Sequence, residues 1–434
     1  MPDAASNPGT GTPEVIGYLS PSGWGNLGDE AIQEAAVAAL RARWPGGRLR
    51  AFTLNPSATA RRHQVEAEPI SGVSTRYNYI RFEEVPRFLE RLDALVERVQ
   101  RPWILHRLLR WLERPVRLVV LETHSLVRAW DWLGTADLLL AAGGGQLDDS
   151  WGGAAGHPYS LARWAWLARR RRVPFALLSV GFGQARGWLS RSLLRYAANT
   201  SAYCSLRDEG SRRLTTELGV RSPLTVVPDL AFALSREPGE PPSAPPLHVG
   251  LSPMAFHHSR WPEADAARYE RHVGLWTAVV AARVARGDRV HLYTTNPTDD
   301  AVVEEIWARL DAAARAGCER APVTTVPGLL SLYARLHVVV ATRLHAVLLG
   351  LVAERPTVAL SYERKVQTLM REAELSPYCL ELENAEPKAV SAAIDAAAEH
   401  RQAITAQIGR RVAGWRDQVE QQFRLLPSLV GAGA

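Results

Sequence analysis

The sequence predicts a parallel α/β protein of two doubly wound domains, and three observations predict it. Short apolar runs alternate with segments of helical spacing, a proline-rich break interrupts the alternation, and the alternation then resumes. At 434 residues the chain also exceeds the roughly 250–300 residues at which a single core stops growing.

The elements follow in order. Residues 1–14 are polar and aperiodic and are expected to form a disordered tail. The first domain is expected over 15–234, with buried strands at Val15–Leu19, Leu49–Leu54, Leu138–Ala142, Phe175–Val180, Tyr203–Leu206 and Leu224–Val227. Within it, 78–132 carries Trp103, Trp111, Trp130 and Trp132 among many arginines at helical spacing, which reads as a helical insert. Its roles stay open between cover for the domain, a substrate lid and a membrane-surface patch. Residues 235–246, SREPGEPPSAPP, can hold neither a helix nor a sheet ladder and form the linker. The second domain, 247–385, has strands at Leu247–Leu251, Val290–Tyr293, Val338–Ala341 and Thr357–Leu360, with helices through Ala264–Arg286 and from Asp299. Helical spacing over Lys388–Phe423 places helices in 386–434, a tail expected to pack back on the domain junction.

Composition narrows the function classes. Hydrophobic residues make up 47% and charged residues 22%, as in a packed globular protein. No run approaches the roughly 20 apolar residues of a membrane span, and no leader-like start is present, so a cytoplasmic protein is expected, with peripheral membrane contact kept open. Cys204, Cys318 and Cys379 stand singly, without metal-binding or disulfide spacing. The net charge of +6 comes from a basic set that is nearly all arginine, spread along the chain against 45 acidic residues. That pattern suits anionic small-molecule substrates and does not form the basic block of a nucleic-acid binder. The sequence leaves the oligomeric state open.

Four motifs stand at strand exits. GWGNLGDE at 23–30 contains G-x-G-x-x-G, but no carboxylate follows the second strand until Glu66, and Asp29 would repel a pyrophosphate at the helix start. A dinucleotide is therefore not expected; Asp29 is either a first-turn helix residue or a catalytic carboxylate, with Asn26 beside it. The strand ending at Ala142 runs into Gly143, Gly144 and Gly145, where backbone can approach a ligand or merely turn, and Asp148 or Asp149 can cap. In RDEGS, 207–211, Arg207 either points an anion-binding fork outward or pairs with a neighbouring carboxylate. In RLHA, 343–346, Arg343 and His345 flank Leu344 at a helix start that favours anions, and SYERK, 361–365, can add Tyr362 or Lys365 to the same pocket.

Together GNLGDEA, the GGG strand exit, RDEGS, VPDLAF, RLHA and SYERK, in this order over about 15–375, resemble the polysaccharide pyruvyl transferase family. The resemblance implies a GT-B-like arrangement, two Rossmann-like domains facing a cleft, with the acceptor on the N-terminal side and phosphoenolpyruvate on the C-terminal side. It implies no metal and no cofactor beyond phosphoenolpyruvate as co-substrate, and a glycan, glycolipid or glycoside as acceptor. On it, Arg207, Arg343 and His345 fall on donor-binding and catalytic positions and Asp29 on the N-terminal acidic position. Leu230 replaces the proline usual in the VPDLAF stretch, and the insert is longer and more basic than the family pattern. The chemistry asks for arginines to neutralise carboxylate and phosphate, an acid and a base: Arg343 and Arg207 for the anions, His345 as acid and Asp29 as base, an assignment that can be exchanged. Asn26, Leu344, Gly144, Gly145, Tyr362 and Lys365 complete the expected substrate contacts. The rival readings are a GT-B glycosyltransferase using a nucleotide sugar, and a non-catalytic protein whose Trp111 and Trp132 face lipid or a partner.

Overall fold

A computed structural model of the chain describes residues 13–72 and 103–430 except 151, 238, 243, 244, 260 and 262. The expected tail lies almost wholly outside the described residues, as do 78–102 of the expected insert. Among the described residues the chain divides into two compact units, one drawn from Met1–Trp24, Ala36–Leu230 and Val419–Ala434, the other from Gly25–Ala35 and Ala231–Gln418.

The first unit is built on strands β1 (Val15–Ser20), β2 (Arg48–Thr53), β3 (Glu66–Pro69), β4 (Leu138–Ala142), β5 (Phe175–Val180), β6 (Tyr203–Leu206) and β7 (Thr225–Val226). They pair in the order β3-β2-β1-β4-β5-β6-β7, all in parallel. β1, β4 and β5 are buried along their whole length, as expected of parallel strands covered on both faces. The helices are α1 (Leu27–Arg43, whose first turns belong to the second unit), α2 (Pro56–His63), α3 (Trp103–Leu133), α4 (His157–Arg171), α5 (Trp188–Thr200) and α6 (Glu209–Glu217). Asp29 and Glu30 in the first turn of α1 and Arg41 and Arg43 in its last complement the helix dipole.

The insert expected at 78–132 is thus, in its described part, one long helix continuing to Leu133. Its Trp132 is buried, 4.9 Å from the Phe52 ring and 6.4 Å from Trp164 between ring centres. The expectation, under the non-catalytic reading, that Trp132 faces lipid is therefore corrected: its indole fills the space above Gly17, where a Cβ would lie 2.3 Å from it. The Trp111 side chain lies outside the described residues.

The second unit repeats the plan with β8 (His248–Ser252), α7 (Ala266–Ala285), β9 (Arg289–Leu292), α8 (Asp300–Arg309), α9 (Ala312–Gly317), β10 (Cys318–Arg320), α10 (Val326–Ala334), β11 (Val338–Ala341), α11 (Leu344–Val352), β12 (Thr357–Ser361), α12 (Arg364–Glu372) and β13 (Cys379–Glu381). Its parallel sheet has the order β10-β9-β8-β11-β12-β13. Helices α13 (Pro387–Glu399) and α14 (Arg401–Leu425) follow. The last turns of α14 belong to the first unit, where Gln422 Oε1 accepts from the Ser205 hydroxyl and its Nε2 donates to Ser179 Oγ at 3.1 Å. In each sheet the order reverses beside its first strand, between β1 and β4 and between β8 and β11, so each unit has the switch point at which open α/β sheets bind ligands.

Candidate active site

In the second unit, the exits of β8, β9 and β11 converge with the segment that starts α1. The segment is held in place by its backbone: Leu27 N donates to Thr295 O at 2.8 Å, just beyond β9. Asn26 then organises the helix start. Its Oδ1 accepts from Gly28 N at 3.1 Å and its Nδ2 donates to Asp29 Oδ2 at 2.8 Å. Gly25, with φ +79°, turns the chain into the helix in a conformation that suits glycine.

Gly28 is required for a different reason. A Cβ there would lie 2.3 Å from His345 Nδ1 and 2.4 Å from its Cγ, so the imidazole lies directly on the glycine backbone. The structure therefore brings Asn26, Asp29 and His345 to one place, one turn into α1 and at the start of α11. His345 is half-buried, as are Arg343 and Leu344.

Arg343 precedes α11 with extended backbone. Its Nε donates to Asp299 Oδ2 at 2.8 Å and its Nη2 to Asp299 Oδ1 at 2.7 Å, a two-pronged pair on a carboxylate that is 1% exposed. Asp299 Oδ1 also accepts from Ala255 N at 2.9 Å, which ties the β8 exit to the same carboxylate. Burial works against the Arg343 charge, but the hydrogen bonds and charge of Asp299 outweigh it and raise its pKa above the ordinary value. The edge of the guanidinium bearing Nη1 lies outside that pairing.

Tyr362 follows β12. Burial, and next the charge of Glu363, push its phenol well above its ordinary range, so it stays a hydrogen-bond donor. It packs with Phe256 and Trp261 at 5.7 and 5.8 Å between ring centres. Lys365, grouped with Tyr362 by position, is instead engaged locally, its Nζ 3.0 Å from Glu363 Oε1.

The remaining expected residues belong to the first unit. Arg207 leaves β6 with its guanidinium against Gly181, where a Cβ would lie 2.7 Å from Cζ. Its carboxylate neighbours are at ion-pair distance only, Asp208 Oδ2 at 3.5 Å from Nε and the buried Asp229 at 3.6 Å from Nη1. Asp208 is committed to capping α6, accepting from Ser211 N at 2.6 Å. Arg207 is thus held loosely compared with Arg343. Gly144 has φ +69° and its carbonyl accepts from Gly181 N at 2.7 Å, which fixes the turn after β4. Gly145 borders open space, with nothing within 4 Å of where a Cβ would stand.

Sequence reasoning missed Asp299 and Asp229, the acidic partners of the two arginines. Asp299 had a local signal, an acidic pair after an Asn-Pro turn at a strand exit, but nothing in sequence spacing links it to Arg343. Among the described residues no cluster of metal-ligating side chains occurs.

The model of the family described as polysaccharide pyruvyl transferase matches residues 26–364, a span that includes Asn26, Asp29, Arg207, Arg343, His345 and Tyr362. No curated protein sequence matches the chain. Solved structures with the same fold include Anabaena HepE in complex with UDP, at 13% identity and TM-score 0.56 over 95% of this chain and 98% of that one. The UDP-GlcNAc 2-epimerase of Neisseria meningitidis bound to UDP-GlcNAc aligns at 10% identity and TM-score 0.55, over 95% and 99%. The calicheamicin glycosyltransferase CalG4 aligns at 15% identity and TM-score 0.51, over 96% and 98%. At such identities the likeness concerns the fold: two Rossmann-like α/β units of GT-B type.

Proposed function

Since the chain belongs to the polysaccharide pyruvyl transferase family, we propose that it transfers the pyruvyl skeleton of phosphoenolpyruvate to hydroxyls of a sugar-containing acceptor, forming a cyclic ketal and releasing phosphate. The observation that carries this reading is the grouping of Arg343, oriented by Asp299, with His345 packed on Gly28 beside the Asn26–Asp29 pair. An oriented guanidinium at a helix start suits a carboxylate or phosphate, and an imidazole next to it suits proton transfer.

The steps balance with these groups. A proton from His345 adds to the methylene carbon of phosphoenolpyruvate, and the resulting cationic carbon is attacked by an acceptor hydroxyl, whose proton passes to Asp29. The bond to phosphate oxygen then breaks, the phosphate leaving as an anion met by Arg343. A second acceptor hydroxyl adds to the same carbon, its proton ending on phosphate. The methylene has become a methyl group, and two new carbon–oxygen bonds replace the double bond and the phosphate ester. Arginine charge does the neutralising, so neither a metal ion nor a nucleotide is needed, and a chelator is expected to leave turnover unchanged.

The test is thermal unfolding with excess phosphoenolpyruvate or UDP, for the parent and Arg343→Ala. Binding at about 100 times the dissociation constant adds roughly 2.7 kcal/mol. Stabilisation by phosphoenolpyruvate, lost in the variant, and phosphate release on adding a glycan acceptor support the proposal. Stabilisation by UDP alone would overturn it in favour of nucleotide-sugar chemistry.

A further inference from the structure

Helix α3 has two apolar faces, and only one is accounted for by the core. Over the residues whose side chains are described, Leu121, Ser125, Ala129, Trp132 and Leu133 are buried against the first unit. On the opposite face Val116, Val119, Val127 and Trp130 are exposed, Val119 by 66% and Val127 by 54%. At about 100° per residue those four lie within roughly 80° of one another, and at 1.5 Å per residue they form a stripe roughly 21 Å long. A solvent-facing stripe of valines ending in a tryptophan is not what a helix needs merely to cover a core.

Arginines crowd its tryptophan end. α4 closes on Arg169, Arg170 and Arg171, followed by Arg172, and all but the half-buried Arg171 are exposed. The Arg171 guanidinium stacks over Trp130 at 4.1 Å and its Nε donates to the Trp130 carbonyl at 2.9 Å. Arg170 lies over the exposed Trp166 at 5.5 Å. Asp131 is the acidic residue next in sequence to Trp130, against these four arginines. Tryptophans with one apolar side and one wet side, a valine stripe and guanidiniums at one end are the parts of an interfacial lipid contact.

We propose that the exposed face of α3, with Trp130, Trp166 and Arg169–Arg172, docks the protein on an anionic phospholipid surface, valines toward the acyl boundary and arginines on the headgroup phosphates. The positive charge at the end of the stripe complements headgroup phosphates, which favours this occupant over a second copy of the same apolar face. The proposal does not depend on the reaction catalysed.

The test is flotation of the full chain with vesicles of phosphatidylcholine alone or mixed with phosphatidylglycerol. The chain is expected to float with the mixed vesicles at low salt and to be released as salt screens the arginines. A combined Arg169→Ala, Arg170→Ala and Arg172→Ala variant is expected to weaken partitioning by roughly fivefold per arginine. Val119→Ser with Val127→Ser is expected to weaken it too, and both variants should unfold at the parent temperature because the altered sites are exposed. Absence of flotation with phosphatidylglycerol, equal flotation with both vesicles, or parent-like binding by both variants would each overturn the proposal. Self-association lost in the valine variant, without vesicle binding, would overturn it in favour of a second copy.

Discussion

Gly28 and Asp299 act on the candidate site by different physics. At Gly28 the constraint is volume: the His345 ring occupies the space that any Cβ would take. Gly28→Ala is therefore expected to move the imidazole, lowering phosphate release about tenfold or more, with an overpacking cost of about 1–3 kcal/mol. Parent-like turnover in that variant would remove His345 from the reaction as proposed. At Asp299 the constraint is charge and direction, because the carboxylate accepts from two N–H groups on one edge of Arg343 and from one backbone N–H. Asp299→Asn keeps the size but loses the charge and one acceptor, and is expected to cost about 1–3 kcal/mol in urea unfolding. It should also raise the apparent KM for phosphoenolpyruvate more than it lowers kcat, since its effect runs through the anion-binding arginine.

At the scale of elements, the last turns of α14 are joined to the first unit's sheet by a buried polar group. Gln422 is 1% exposed and bonds both Ser179 and Ser205, on adjacent strands β5 and β6. Gln422→Leu fills similar volume but leaves those hydroxyls without their amide partner. It is expected to destabilise by about 1–3 kcal/mol, measured by the urea midpoint. The elements also show where sequence patterning loses its hold. β3, β10 and β13 carry Glu66, Glu68, Glu319, Arg320 and Glu381 and so have no continuous apolar run. They are strands because a neighbour offers a free edge, β2, β9 and β12 respectively, which is a property of the sheet and not of the segment.

For the molecule as a whole, buried histidines set the response to acid. His272, 5% exposed, meets the Met254 carbonyl through Nε2, and burial pulls its pKa down to about 4. A histidine depressed in the folded state contributes its full stability above the unfolded value of about 6.5, and loses it as pH falls from there toward about 4. Burial likewise lowers His248, His291 and His337, which lie together at the start of the second unit's sheet, so these act in the same direction. Between pH 7 and 5 the chain is expected to lose about 2 kcal/mol from His272 alone. His272→Gln should flatten that part of the dependence; an unfolding midpoint indifferent to pH over this range would contradict it.

What the sequence by itself determined was the parallel α/β architecture, the two-sheet plan and the position of the motifs at strand exits, because buried parallel strands need long apolar runs and exits need turns. β1, β4, β5, β11 and β12 were legible for that reason. So was the start of α1, where glycines and acidic residues announce a tight turn into a helix. Only the tertiary structure decided that Gly28 touches His345, that Arg343 is held by Asp299 while Arg207 rests loosely against Gly181 beside Asp229, and that Trp132 goes inside while Trp130, two residues away, stays outside. Those outcomes depend on which strand lies beside which, and on which side of a helix meets the sheet. Residues far apart in the chain are brought together by strand order, and spacing along one sequence carries no record of that order.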